Sequence, residues 1–184
     1  MMIAWIVAGV VTVLFYGIYV SLIKRRNNVK ESASSIDVHL KLRYDLIPNM
    51  LKAAAKYMEH EKDVFMQVTE LREKALNAGN YADKFEADRA LTGAMRAFNI
   101  KAENYPDLKS DNTMLAAQKA MADVEEHISA ARRFYNSAVK DYKNGIEIFP
   151  SSMVAKIIGL KDEYPFFEAE EIAKEAIDVN NFFN

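Results

Sequence analysis

No charged side chain interrupts residues Met1 to Ile23, and Lys24, Arg25 and Arg26 follow at once. At about 1.5 Å per residue, some twenty of these residues as helix reach ~30 Å, the thickness of a bilayer's hydrocarbon core. The pattern predicts a membrane-spanning anchor over residues 1–23. Beyond it, apolar positions recur three and four apart. Val29, Ala33, Ile36, Leu40 and Tyr44 continue the helix; Ile36, Val38, Leu40 and Leu42 also alternate, but a lone strand would lack a partner. Asp45 followed by Leu46, Ile47 and Pro48 reads as a new helix start, because Asp accepts from first-turn amides and Pro needs no donor there. A kink in one continuous helix is the competing reading.

The second helix then runs from Leu46 to Ala78, with a stripe of Ile47, Met50, Ala54, Tyr57, Val64, Val68, Leu71 and Ala75, and stops at Asn77, Gly79 and Asn80. The third, Ala82 to Asn104, places Phe85, Asp88, Leu91, Met95, Phe98 and Ala102 on one face and ends before Pro106. The fourth carries the most regular repeat: Met114, Ala117, Met121, Val124, Ile128, Ala131, Tyr135, Ala138, Tyr142 and Phe149, alternately three and four apart as far as Tyr142. Four long helices joined by short turns predict an all-α fold, an antiparallel four-helix bundle preceded by one transmembrane helix. The expected organisation is an anchor over 1–23, a bundle over 24–149, and a C-terminal part, 150–184. That last part holds a short helix, Met153 to Ile158, and an aromatic tail packed on the bundle.

Composition narrows the function classes. The chain has 184 residues, of which about 160 follow the anchor, enough for one domain with its own core. Its 24 basic and 26 acidic residues nearly cancel, so there is no global electrostatic footprint for nucleic acid. Absence of cysteine excludes disulfides, thiolate zinc sites, a cysteine nucleophile and lipidation at cysteine. A cleaved signal peptide would begin with a basic region and end in small residues; here Tyr19 to Ile23 closes the apolar run instead. Trp5, Tyr16 and Tyr19 sit where interfacial aromatics would. The basic cluster Lys24, Arg25, Arg26 and Lys30 lies wholly on the C-terminal flank, which places the N-terminus outside and the rest in the cytoplasm.

Candidate chemistry is sparse. Bundles often host di-iron sites built on Glu-x-x-His, yet Ile36, Tyr57 and Val124 stand three residues before His39, His60 and His127. His60-Glu61 is not followed by a second histidine, so the His-Glu-x-x-His pattern is missing too. No metal or cofactor is implied. Glu61 occupies a position where the stripe from Ile47 to Ala75 expects an apolar residue, and a buried carboxylate must be paired. Gln118, Glu125 and Arg132 recur every seven residues on one face of the fourth helix. With Arg43, and with Arg133 as a further partner, they form a candidate polar layer: Arg43, Glu61, Gln118, Glu125 and Arg132. Such a layer fixes helix register more often than it binds a ligand.

The string Leu40 to Asn49, then His60-Glu61, Tyr105 to Lys109, Gln118, Glu125 and Ala131 to Asn136, resembles the LemA family, over roughly Val20 to Phe167. The chain departs from that pattern at Leu42, where a second basic residue is common, and at Thr113-Met114, where an aromatic is usual. The resemblance implies a bacterial, membrane-anchored bundle of long helices with no established enzymatic activity and no known cofactor. The expectation is a single-pass protein of the bacterial cell membrane that contacts lipid through residues 1–23. It would act as a non-enzymatic scaffold or adaptor for a protein partner, with no nucleic acid; a ligand sensor or enzyme-like site in the polar layer is the alternative. A lipid-organising role for the four basic residues is a minor reading.

Overall fold

The computed structural model describes residues 1–167, and among these all regular structure is helical. The elements are α1 (Met2–Ala55), α2 (Lys62–Leu76), α3 (Tyr81–Ala102), α4 (Pro106–Lys109), α5 (Asn112–Glu147) and α6 (Ser151–Ile157). Residues 1–17 are exposed throughout, and packing begins at Ile18. No break separates the charge-free stretch from the packed one.

Helix α1 corrects the expected boundary at Asp45, since it runs through Pro48 to Ala55. A proline inside a helix leaves the carbonyl four residues earlier without its amide donor. Here that carbonyl belongs to Tyr44, and Arg72 of α2 donates to it from Nε at 2.6 Å. The chain instead turns over residues 56–61, which contain neither Gly nor Pro. Asp111 holds this turn from a distance, accepting from Lys56 Nζ and Tyr57 Oη at 3.0 Å each, while Met58 is buried beneath it. The same carboxylate caps α5 by accepting from the amides of Thr113 and Met114. These bonds, that from Lys56 foremost, hold the Asp111 pKa well below the usual carboxylate range.

Contacts fix the helix directions. Along α1, Leu22 meets Gly145, Arg43 meets Glu125, and Lys56 meets Asp111, so α5 runs antiparallel to α1. Helix α3 runs parallel to α1, because Asp37 pairs with Lys84 and Arg43 with Asp88. Helix α2 returns antiparallel to α3, with Glu61 against Lys101 and Phe65 edge-on to Phe98. One core joins Val29, Ile36, Leu40 and Ile47 of α1, Leu91 and Phe98 of α3, and Met114, Ile128, Tyr135 and Tyr142 of α5. A Cβ on Gly145 would stand 3.0 Å from Arg25 Cδ and 3.1 Å from Leu22 Cδ2, so glycine lets α1 and α5 approach closely there.

After α6, Gly159 takes a positive φ of 72° and turns the chain back along α5. Tyr142 and Tyr135 donate to the carbonyls of Lys161 and Pro165, both at 2.8 Å, and Asn136 brackets the backbone of Phe167 with two bonds. Tyr164 and Phe167 are buried by this attachment. The rest of the expected aromatic tail, including Phe182 and Phe183, lies outside the described residues.

Candidate functional site

Three helices deliver charge to one buried point. The stripe of α3 that buries Phe85, Leu91, Met95 and Phe98 carries Asp88 in register with them, fully buried at 0% exposure. Helix α1 brings Arg43, 1% exposed, and α5 brings Arg132. Arg43 Nη1 donates to Asp88 Oδ1 at 2.9 Å, and Arg132 Nη2 to Asp88 Oδ2 at 2.8 Å. Tyr44 adds a longer bond to Oδ1, 3.3 Å. Burial, with the charge of Asp88 second, raises the Tyr44 pKa far above its usual range, so the hydroxyl stays a donor. On the outer side Arg43 Nε lies 2.9 Å from Glu125 Oε1, an ion pair without hydrogen-bond alignment. The guanidinium of Arg132 also covers the ring of Phe167 at 4.2 Å, tying the layer to the segment after α6.

Two carboxylates thus face two guanidiniums, and both oxygens of Asp88 are committed to arginine. A carboxylate bonded through both oxygens to arginines on two other helices is suited to positioning those helices. Beside the layer opens a groove of about 410 Å³, lined by Arg43, Glu125, Gln118, Thr92, Arg96 and Asn99 with methionines 50, 95 and 121. A small polar molecule entering this groove would meet Arg43.

The sequence-derived candidates divide accordingly. Arg43 and Arg132 meet at Asp88 and Glu125 joins them through Arg43, whereas Gln118 is exposed on the groove wall. Glu61 stands elsewhere, which corrects its expected pairing with arginine. It precedes the first residue of α2, 20% exposed, with Oε2 3.2 Å from Lys101 Nζ and Oε1 3.4 Å from the Tyr105 hydroxyl. The turn over residues 56–61 resets the helical phase, so a stripe begun at Ile47 does not continue to Glu61. Arg133 is exposed. Asp88 is the residue that sequence reasoning passed over, although a charge on an apolar stripe was the very signal that singled out Glu61.

Of the basic flank, Lys24 and Lys30 are exposed, but Arg25 donates to the Asp141 carbonyl at 2.8 Å and Arg26 pairs with Glu163 at 3.0 Å. His39 and His127 stack across α1 and α5 with ring centroids 5.2 Å apart, while His60 lines a separate groove with Met58, Phe65 and Met66. Among the described residues, no three of His, Asp and Glu gather as a metal ion would require.

An exposed, charge-free helix with a mean hydropathy of 2.3 over 18 residues, long and apolar enough to cross a membrane, continues directly into a packed helical domain. That combination fits the class of membrane-associated helical proteins. Comparison with known proteins is more specific: the chain belongs to the LemA family, whose model matches residues 32–182. Protein LemA of Metamycoplasma hominis is 25% identical over 176 residues, spanning 93% of this chain and 80% of that protein. The magnetosome protein MamQ of Magnetospirillum gryphiswaldense is 23% identical over 190 residues, spanning 89% of this chain and 69% of its own length.

Proposed function

We propose that the protein is a single-pass, non-enzymatic membrane scaffold whose helices form an antiparallel four-helix bundle that presents a docking surface to other proteins. The observation that carries this reading is the continuity of α1: one helix holds both the charge-free stretch and Arg43. Anything bound to the packed helices would therefore be held stiffly at the bilayer. The N-terminus lies outside and the bundle in the cytoplasm, because Lys24, Arg25, Arg26 and Lys30 all follow the span. The layer around Asp88 sets the register of α1, α3 and α5, as buried charge does in other helical assemblies.

Photo-crosslinking in native membranes tests the scaffold. A photoreactive residue at Phe134, 73% exposed on α5, should yield a discrete, reproducible protein adduct. Crosslinks to lipid alone, or a different set of proteins in every preparation, would overturn the reading.

The groove at Arg43 favours a second reading, a ligand sensor. In that case a small anion held by Arg43, Arg96 and Asn99 would shift the Arg43–Glu125 pair. Titration of the protein with inorganic phosphate and with acidic dipeptides, followed by amide chemical shifts at Thr92 and Gln118, should then show saturable changes. Unchanged shifts would leave the layer purely structural.

A further inference from the structure

Helix α6 is anchored where the charge-free stretch ends. Its Val154 and Ala155 form a small buried cluster with Leu22, against which Ile18 and Ile146 also pack. The end of α5 reaches the same level, with Ile148 and Ser151 sharing a cleft with Gly17, Ile18 and Leu22. Ile18 precedes Lys24 by six residues, roughly 9 Å along a helix axis. Helix α6 therefore sits on the hydrophobic side of the basic flank, level with residues that themselves contact lipid if α1 spans.

The outward face of this unit is apolar. Met153 and Ile157 are four apart within α6, which aligns them on one face, and they are 59% and 71% exposed, while Phe149, in the turn before α6, is 74% exposed. Ile148 adds to the patch at 59%. The single charge within α6 is Lys156, whose long stem allows its ammonium to reach the headgroup layer. Water is a poor solvent for such a face. The outer acyl region is a good one, since interfacial helices bury an apolar face about 5–10 Å into that boundary.

We propose that Ile148, Phe149 and the Met153/Ile157 face of α6 insert into the interfacial layer of the bilayer that α1 crosses. The protein then holds its membrane at two points, a span and a shallow wedge. This fixes the tilt and rotation of α1 as well as its depth. The inference rests on the reading of residues 1–23 as a span, and the experiment separates the two.

Trp5 is the sole tryptophan of the chain, so it reports the span, and a W5F/I157W variant reports α6 alone; Ile157 is exposed enough for the exchange not to disturb packing. Both full-length proteins are reconstituted into phosphatidylcholine and phosphatidylglycerol vesicles carrying lipids brominated near the headgroup or near the chain end. The expected result is blue-shifted emission from W5F/I157W, lost more to shallow than to deep bromines and little affected by aqueous acrylamide. A W5F/L115W control, on the far end of α5, should show the reverse. Emission from W5F/I157W that acrylamide removes and bromine does not, with Trp5 still quenched by bromine, overturns the wedge and leaves the span. Emission shielded from both quenchers means that protein covers the face, which also overturns it. Bromine failing to quench Trp5 as well defeats the span reading together with the wedge.

Discussion

Removing the carboxylate of Asp88 strands a charge that has nowhere to go. In Asp88→Ala, Arg43 remains buried and keeps only Glu125, whose side chain is 38% exposed and whose attraction is screened by solvent. Arg132, 24% exposed, loses its partner but can turn towards water, and the Tyr44 hydroxyl loses its acceptor. Breaking a buried pair from one side destabilises by about 3–5 kcal/mol, a fall in melting temperature of roughly 6–20 °C for a domain of this size. Glu163→Ala is the matched control, because its pair with Arg26 is 47% and 35% exposed and loses under about 1 kcal/mol. The double variant Arg43→Met/Asp88→Leu removes both buried charges and refills the space with apolar atoms. Such replacements are neutral or better by about 1–4 kcal/mol, so it should recover most of the loss. Thermal unfolding followed by circular dichroism reads all three variants. An Asp88→Ala protein within about 1 kcal/mol of the unaltered one, or a double variant less stable than the single, would refute the account of the layer.

The proline in α1 gives a second cycle: Arg72→Met should destabilise by about 1–3 kcal/mol, the penalty for an unsatisfied buried acceptor, and adding Pro48→Ala should restore it by returning an amide donor to Tyr44. Asp111→Asn keeps the α5 cap and weakens the link to Lys56. Because the folded pKa of Asp111 is lowered, its contribution is complete above the ordinary aspartate value of about 4 and fades as pH falls below it, so the stability gap between Asp111→Asn and the unaltered protein should narrow there in urea titrations. Deleting residues 1–17 should leave a fully packed helical domain, whereas deleting 1–26 removes the contacts of Leu22, Arg25 and Arg26 with α5, α6 and the segment after α6 and should lose a further 2 kcal/mol or more, about one buried leucine. For orientation, a cysteine at exposed Lys119 should resist membrane-impermeant thiol reagents until cells are lysed.

What the sequence made legible is what nearest neighbours determine. The stripe of α5 is local, a repeat of three and four, and its Met114, Met121, Ile128, Ala131, Tyr135 and Tyr142 are buried as that repeat requires. The errors arise where a distant residue decides. Pro48 is compatible with a helix only because Arg72 completes the Tyr44 carbonyl. The turn over residues 56–61 is held by Asp111, more than fifty positions away, and carries no breaker of its own. A stripe drawn straight through that turn gives Glu61, the residue before α2, a phase it does not have and points to the wrong carboxylate. Asp88 was visible by the same rule, on a stripe without interruption, but its partners Arg43 and Arg132 lie 45 and 44 positions away in the sequence.

The basic flank shows a different limit, in which one residue serves two ends. Lys24 and Lys30 remain free to face a headgroup layer, while Arg25 and Arg26 are drawn onto α5 and the segment before Phe167. A charge count alone treats the four as equivalent. Their division matters mechanically, because Arg25, Leu22 and Gly145 clamp α1 to α5 next to the charge-free stretch while Arg43, Asp88 and Arg132 lock α1 to α3 and α5 further along. Between two such fixed points a helix can neither slide by a turn nor rotate without breaking ion pairs or forcing Leu22 into the Gly145 notch. The packed part of α1 is therefore held in one register against α3 and α5, so substitutions in the Asp88 layer should alter how the charge-free stretch is aimed relative to those helices, and not the stability of the domain alone.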